Sequence, residues 1–195
     1  MPTSEYIIHG TQIKNLIKIL KDGYINNDPD KKDIVMLKGW GKIRQIFTQI
    51  IYKDIPNENK NTYSWGTCII VLDKKILKDY SFYATHIGGF TDKFENGKTD
   101  ENTILYGEGN LTRMPNLSKL KTKISHGFDF IHSHEILFNK KIPLNIYCKC
   151  IVLKPVITPK EKKSITDLAT ILNIPVKTNN SLYGINKLID IIESD

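Results

Sequence analysis

The chain has few of the features that mark a disulfide-built, secreted or membrane-spanning protein. Its three cysteines are an odd number without C-x-x-C spacing, which argues for buried thiols in a reducing compartment. No apolar run approaches the roughly 18 residues of a membrane-spanning helix, and the polar N-terminus lacks a signal-peptide pattern. We therefore expect an intracellular protein, cytoplasmic or nuclear, without a membrane partner.

Several catalytic motifs are also missing. The pairs Gly39-Trp40-Gly41 and Gly107-Glu108-Gly109 lack the third glycine and the following lysine of a phosphate-binding loop. No G-x-S-x-G motif occurs, and Cys68, Cys148 and Cys150 lie in apolar runs, where thiols are usually inert. These absences argue against nucleotide binding through a glycine-rich loop and against serine or cysteine nucleophiles.

The composition is that of a folded domain with a basic surface. Of the 195 residues, 40% are hydrophobic, enough to bury a core in one domain or one domain with a small appendage. The net charge of +7 favours anionic partners such as nucleotides, RNA, DNA or acidic protein surfaces. The lysines are spread along the chain, so the charge alone does not select among these partners.

The hydrophobic pattern predicts an α+β fold with a strand-rich centre. Residues 6–9 read as a strand, and a helix with Thr11 as its N-cap should follow and end at Gly23. A long irregular loop is predicted from His86 to Arg113. Further strands are predicted at 45–51, 67–72, 81–85, 128–138 and 146–153, and further helices at 117–124, 160–172 and 184–193.

The character of the chain changes at Pro155. We therefore predict a main domain over residues 1–155 and a small helical tail over residues 156–195. In the tail, two short helices should flank a turn at residues 174–179.

Two polar features stand out within apolar surroundings. Glu135 lies in the strand-like run 130–138, where an isolated carboxylate is seldom left unless it is paired or used in chemistry. His9-Gly10-Thr11 closes the first strand and opens a helix, a place where α/β folds tend to bind ligands. Together they indicate a nucleotide site.

The histidines near Glu135 do not form a metal motif. His132 and His134 are two residues apart on a predicted strand, so they share one face while Glu135 lies on the other. The ligand spacings of zinc motifs are absent, and we expect no metal.

An acid and an imidazole are suited to breaking a C–N glycosidic bond. A carboxylate such as Glu135 stabilises the oxocarbenium-like charge on the ribose, and a neutral His9 can hydrogen-bond the ribose hydroxyls. Phe47, on a central strand, would stack on the base. In the alternative, His9 satisfies a backbone group, Glu135 pairs with a lysine, and Phe47 is a core residue.

The order of these residues resembles the ADP-ribosyltransferase fold of the poly(ADP-ribose) polymerase type. His9-Gly10-Thr11 looks like the His-Gly-Thr/Ser motif of the first strand, and residues 133–138 look like the glutamate strand. Phe47 stands where the family usually has tyrosine. The resemblance implies split antiparallel β-sheets with few helices. The C-terminal helical hairpin predicted from the residues of the tail would follow these sheets.

The resemblance implies that NAD is the substrate. His9 would bind the ribose, Gly10 would offer backbone groups to the carboxamide, and Glu135 would polarise the nicotinamide ribose. The implied NAD-binding residues are His9, Gly10, Thr11, Phe47 and Ser133. His9 and Ser133 replace the residues of the arginine-specific branch, so we do not expect arginine modification. No regulatory helical domain of the polymerases is recognised before the fold, so the implied activity is mono-ADP-ribosyl transfer, rather than chain elongation, to a protein or nucleic-acid acceptor.

Two other functions remain open. A catalytically silent member of the fold that binds NAD or ADP-ribosylated ligands would fit the loss of the tyrosine hydroxyl at Phe47. The related RNA 2′-phosphotransferase chemistry also uses NAD but has no catalytic glutamate, so Glu135 argues against it.

The tail resembles a SAP-type helix–turn–helix that binds nucleic acid. If it acts in this way, phosphate contacts would come from Lys160, Lys162, Lys163, Lys177 and Lys187. The alternative is a helical hairpin that packs on the rest of the protein.

Overall fold

The computed structural model describes residues 5–26, 46–52, 66–80, 82–85, 104–109, 135–138, 140–179 and 185–194. The strands are β1 Glu5–Thr11, β2 Tyr24–Ile25, β3 Ile46–Tyr52, β4 Cys68–Leu72, β5 Phe82–Thr85, β6 Ile104–Gly109, β7 Glu135–Phe138, β8 Ile142–Pro143, β9 Cys148–Leu153 and β10 Val176–Thr178. The helices are α1 Ile13–Asp22, α2 Ile76–Asp79, α3 Leu144–Tyr147, α4 Pro159–Ile171 and α5 Ile185–Glu193. The predicted α+β class is confirmed.

The chain divides into two units. The first contains Met1–Ile25, Ile51–Lys74 and Ile142–Asp195, and the second contains Asn26–Ile50 and Lys75–Lys141. Among the helices in the described ranges, none combines the length and the apolar character that crossing a membrane requires.

The first unit is built on the strand order β10-β9-β4-β1. β1 pairs antiparallel with β4, β4 pairs antiparallel with β9, and β10 runs parallel to β9. All five residues of β4 are buried, which explains why this strand reads as a continuous apolar run rather than an alternating one. The core cluster of this unit consists of Ile8, Ile51, Ile69, Val71, Cys150, Val152, Leu188 and Ile189.

The helix α1 ends as predicted but begins one residue later than a Thr11 cap requires. Gly23 has a φ of 73°, and its N–H donates to the Ile19 carbonyl 2.9 Å away, which closes the helix. The predicted N-cap is wrong because Thr11 is the last residue of β1 and pairs with Cys68 of β4. Gln12 takes the N-cap position and makes no side-chain capping bond.

In the tail, α4 confirms the predicted helix at 160–172. It opens with a capping box in which the Glu161 N–H donates to Thr158 Oγ1 at 3.3 Å and the Thr158 N–H donates to Glu161 Oε2 at 3.0 Å. Pro159 occupies the first helical position, where the missing N–H costs nothing.

The predicted turn at 174–179 is wrong, because residues 176–178 form β10. The backbone of this segment forms hydrogen bonds with β9. The Ile151 N–H donates to the Pro175 carbonyl, and the Asn179 N–H donates to the Leu153 carbonyl. The side chains of Leu188 and Ile189, on α5, belong to the core cluster. The contacts of the tail are therefore those of the packing alternative, whereas the domain boundary after residue 155 stays a prediction.

The second unit has the strand order β3-β7-β5-β6, in which all neighbours are antiparallel. Ile46 and Thr48 are buried on one face of β3, and Phe138 of β7, opposite Ile46, is also buried. The Tyr80 ring meets Phe138 edge-on, with 6.1 Å between the ring centroids, and the Tyr80 hydroxyl donates to the Lys141 carbonyl at 2.9 Å. This face of the sheet is therefore the packed one.

Two further sequence predictions need correction. The predicted loop at 86–113 contains β6, whose two glycines hide the alternation of a strand and which pairs with β5. The predicted strand at 146–153 begins only at Cys148, because residues 146 and 147 belong to α3. Leu144 and Tyr147, three residues apart on this helix, are both buried, while Ile146 is 49% exposed. The predicted helix at 117–124 and residues 128–134 of the predicted strand lie outside the described residues.

Candidate functional site

The end of β1 holds the His-Gly-Thr motif against β4. His9 pairs with Ile70, and the next two residues, Gly10 and Thr11, continue this ladder. Thr11 is buried, at 7% exposure, whereas His9 and Gly10 are half-buried. The ladder thus fixes the backbone of the motif, and His9 is a half-buried residue at this end of β1.

A glycine outside the motif fixes its last residue. Gly66 has a φ of 100°, and a Cβ atom there would lie 2.3 Å from the Thr11 carbonyl oxygen and 2.8 Å from the Thr11 nitrogen. Only glycine permits two backbone segments to approach this closely in this conformation. Next to it, Thr67 Oγ1 donates to Gln12 Oε1 at 3.4 Å, so the segment that enters β4 lies directly on the end of β1.

The thiols of the first unit do not provide a nucleophile. Burial raises the pKa of Cys68 and of Cys150 to about 11, and it raises the pKa of Cys148 as well. All three are free cysteines that stay protonated at neutral pH. The sequence-based prediction of inert thiols is confirmed.

The second unit brings Phe47 and Glu135 to adjacent strands. In the register of β3 and β7, Phe47 lies opposite Leu137 and Gln49 lies opposite Glu135. Phe47 and Gln49 are half-buried, and they alternate with the buried Ile46 and Thr48. Since successive residues of a strand point to opposite faces, the positions of Phe47 and Glu135 share the more open face of this sheet.

The next strand extends this face. In β5, Tyr83 lies opposite Leu137, and Thr85 lies opposite Glu135. The register therefore forms two rows of positions on one face, namely Gln49, Glu135 and Thr85 in the first row and Phe47, Leu137 and Tyr83 in the second.

Sequence reasoning missed Gln49, Tyr83 and Gly66. Gln49 was within reach, because strand alternation alone places it on the same face as Phe47, two residues earlier. Tyr83 needed the pairing of β5 with β7, which no local pattern encodes. Gly66 carries one sequence signal, a glycine just before a buried apolar strand, which often marks a close backbone approach.

The candidate residues are distributed over both units. His9, Gly10 and Thr11 are consecutive in the first unit, and Phe47 and Glu135 lie on paired strands of the second. The convergence of His9 with Glu135 stays a prediction, and Ser133 lies outside the described residues. Within the described ranges, no group of three or more histidine, cysteine, aspartate or glutamate residues could hold a metal ion.

The strand arrangement and the few helices are those of the ADP-ribosyltransferase fold. A comparison of the sequence with protein-family models finds no match, and neither does a comparison with curated proteins. Among solved structures, the chain is similar to DarT of Thermus sp. 2.9, determined in complex with NAD+. The two share 12% sequence identity, with a TM-score of 0.54 over 92% of this chain and 97% of that one. At this identity the likeness shows the fold, whereas the poly(ADP-ribose) polymerase subtype and the SAP-like tail stay predictions.

Proposed function

We propose that the protein is a mono-ADP-ribosyltransferase that transfers the ADP-ribose of NAD to a macromolecular acceptor and releases nicotinamide. The main support is the register position of Glu135, on the open face of the second unit beside Phe47, in a chain with the ADP-ribosyltransferase fold. The NAD+ bound to DarT supports NAD as the substrate.

The reaction breaks the bond between the ribose C1′ and the nicotinamide nitrogen. The bonding electrons leave with nicotinamide, and positive charge builds on the ribose ring. The Glu135 carboxylate stabilises that charge, since fixed charges aimed at the transition state lower its energy most. A nucleophile of the acceptor then attacks C1′ and loses its proton to solvent or to a nearby base.

The other residues bind and orient NAD. His9 hydrogen-bonds the ribose hydroxyls, and the Gly10 backbone binds the carboxamide at the end of β1, with Thr11 and Ser133 completing the expected set. Phe47 stacks on the nicotinamide ring. Phe47 has no hydroxyl, so it contributes apolar contact area and orients the nicotinamide ring without a polar contact.

Labelled NAD tests this function directly. Wild type should release nicotinamide and label an acceptor, and Glu135→Gln should lose about 100- to 1,000-fold in rate, the cost of removing one transition-state stabilising group. NAD binding by calorimetry should persist in Glu135→Gln. Asp79→Asn, a change at an exposed carboxylate of the same unit, serves as the matched control and should retain wild-type rates.

A silent NAD-binding module is the second candidate, and the missing hydroxyl at Phe47 favours it. Wild type that binds NAD without releasing nicotinamide would support the module and refute the transferase. Loss of a 2′-phosphate from RNA would refute both in favour of the phosphotransferase. Phe47→Tyr should restore activity if the hydroxyl alone is what the module lacks.

For the acceptor, we propose nucleic acid, bound through the tail. Lys160, Lys162 and Lys163 are exposed at the start of α4, although Lys163 Nζ donates to Asp167 Oδ2 at 2.9 Å. Lys177 is less suited to bind phosphate, because its ammonium group donates to the carbonyls of Ile192 and Ser194 at the end of α5.

A second helix adds positive charge beside α4. α1 contacts α4 and carries three exposed lysines, Lys14, Lys18 and Lys21, at the i, i+4 and i+7 spacing of one helix face. In the described part of the chain, no ion pair involves these three side chains. Like charges at this spacing destabilise an isolated helix slightly. A bound polyanion would offset the repulsion among these lysines, which supports a nucleic-acid partner.

Salt dependence tests the nucleic-acid surface. Binding of single-stranded DNA or RNA oligonucleotides should weaken steeply with salt, and the double variant Lys160→Gln, Lys162→Gln should reduce the slope by about 0.7 for each phosphate that a lysine no longer neutralises. Lys74→Gln with Lys78→Gln removes the same charge from exposed positions elsewhere. An equal weakening in that control would indicate a net-charge effect and refute the tail as the binding surface.

A further inference from the structure

Gln49 lies directly opposite Glu135 in the antiparallel pair of β3 and β7. Residues in such a pair have Cβ atoms about 4.5–5.5 Å apart, a distance that a glutamine side chain spans easily. Gln49 is half-buried, whereas the preceding Thr48 is 2% exposed and lies on the packed face. The amide therefore belongs to the same open face as the Glu135 position.

The chemistry of the neighbouring positions distinguishes Gln49 from them. By register, the positions of Phe47 and Gln49 on β3 and of Tyr83 and Thr85 on β5 lie on the same face of the sheet as the Glu135 position. Of the four positions around Glu135, only Tyr83 carries a titratable side chain, and it pairs with Leu137 rather than with Glu135. Gln49 is the one of the four that brings N–H donors without a charge.

A neutral donor suits the proposed chemistry better than a cation. A lysine or arginine opposite Glu135 would also keep the carboxylate ionised, but its charge would cancel the negative potential that the ribose cation needs. An amide N–H favours the ionised carboxylate by hydrogen bonding and leaves its net charge in place.

We propose that Gln49 is a positioning residue, whose side-chain amide donates a hydrogen bond to the Glu135 carboxylate and holds it ionised and oriented toward the nicotinamide ribose. The inference rests on the transferase function proposed above and extends it to a residue that does not touch the reacting atoms.

Kinetics of two variants test the role. Gln49→Met keeps the length of the side chain and removes both donors, so kcat should fall about 10- to 100-fold, the range for a hydrogen bond to a charged group. The KM for NAD should change little, and the acidic limb of the pH profile should move to higher pH because the carboxylate loses a donor. Gln49→Asn keeps an amide and should recover part of the loss. Asn145→Leu, which removes an exposed amide on α3, is the control and should match wild type.

A double-mutant cycle separates positioning from a general structural effect. In a Glu135→Gln background, Gln49→Met should cause no further loss, because the amide acts only through the carboxylate. A full additional loss in that background would overturn the proposal, as would wild-type kinetics and an unchanged pH profile in Gln49→Met.

A measurement that needs no activity keeps this inference separate from the proposed function. Titration of 13C-labelled glutamate by NMR gives the Glu135 carboxyl pKa in wild type and in Gln49→Met, and the variant should have the higher pKa. An unchanged pKa in a variant that melts like wild type would overturn the pairing. A raised pKa in a protein without transferase activity would support the pairing and refute the transferase.

Discussion

Two glycines with positive φ provide a matched pair of perturbations. Gly23 and Gly66 have φ values of 73° and 100°. A Cβ atom at Gly23 would meet nothing within 4 Å, whereas at Gly66 it would lie 2.3 Å from the Thr11 carbonyl oxygen. An alanine at Gly23 therefore measures the conformational cost alone, and an alanine at Gly66 adds a collision with backbone.

The two costs differ in size. A residue with a Cβ atom pays roughly 1–2 kcal/mol in the left-handed region, which is the expected loss in unfolding free energy for Gly23→Ala. Gly66→Ala pays a similar amount and must also push the Thr11 backbone away, since a backbone atom cannot swing aside as a side chain can. Overpacking typically costs about 1–3 kcal/mol, so the expected total is about 2–5 kcal/mol.

Urea unfolding of both variants measures this difference, and NAD titration shows whether the His-Gly-Thr motif moves. Gly66→Ala should weaken NAD binding because it displaces the end of β1, whereas Gly23→Ala should bind NAD like wild type. Equal losses of stability in the two variants would refute the close approach. Wild-type NAD affinity in a destabilised Gly66→Ala would refute its link to the motif.

Three further predictions follow from the first unit. Leu188→Ala should lower the free energy of unfolding by about 2–5 kcal/mol, because Leu188 is fully buried in the core cluster, and an unchanged urea midpoint would contradict that packing. Thr158→Ala should cost about 1 kcal/mol by removing the helix cap. The hydrogen bond from the Thr158 side chain lowers the pKa of Glu161, so this carboxylate supports folding above its unfolded pKa and loses that effect as the pH falls through the folded value. Acid titration of wild type and Thr158→Ala should show this difference. Burial raises the pKa of Cys68 from 9.0 to about 11, so the folded state holds the thiol proton more tightly than the unfolded state. The stabilisation that this proton provides is complete below pH 9 and is lost as the pH rises toward 11. A maleimide should modify Cys68 at neutral pH only after unfolding, and rapid labelling of the folded protein would contradict this burial.

The parts of the fold that sequence could predict are the locally encoded ones. The end of α1 at Gly23 and the body of α4 follow from side-chain periodicity and from residues that cap a helix. The strand Cys68–Leu72 follows from an uninterrupted apolar run. Each of these signals lies within about a dozen residues, so no knowledge of the partner strands was needed.

The parts that escaped prediction depend on distant partners. Residues 176–178 become a strand only because the edge of β9 accepts them, and the strand Ile104–Gly109 is specified mainly by its pairing with β5. In the candidate site, Glu135 stood out because a carboxylate is unusual in an apolar run. Strand alternation could have placed Gln49 on the face of Phe47, but the pairing of Gln49 and Thr85 with Glu135 emerges only from the register.

The pairing of the earliest strand with the latest helix has a consequence for synthesis. The Tyr6 hydroxyl donates to Glu193 Oε1 at 3.3 Å across 187 residues of sequence, and Ile8 packs in the same cluster as Leu188. At translation rates of about 5–20 residues per second, roughly 10–40 s separate the appearance of these partners. During that interval Ile8 lacks the contacts that Leu188 and Ile189 later bring to the core cluster, and apolar surface of this kind is what a chaperone binds.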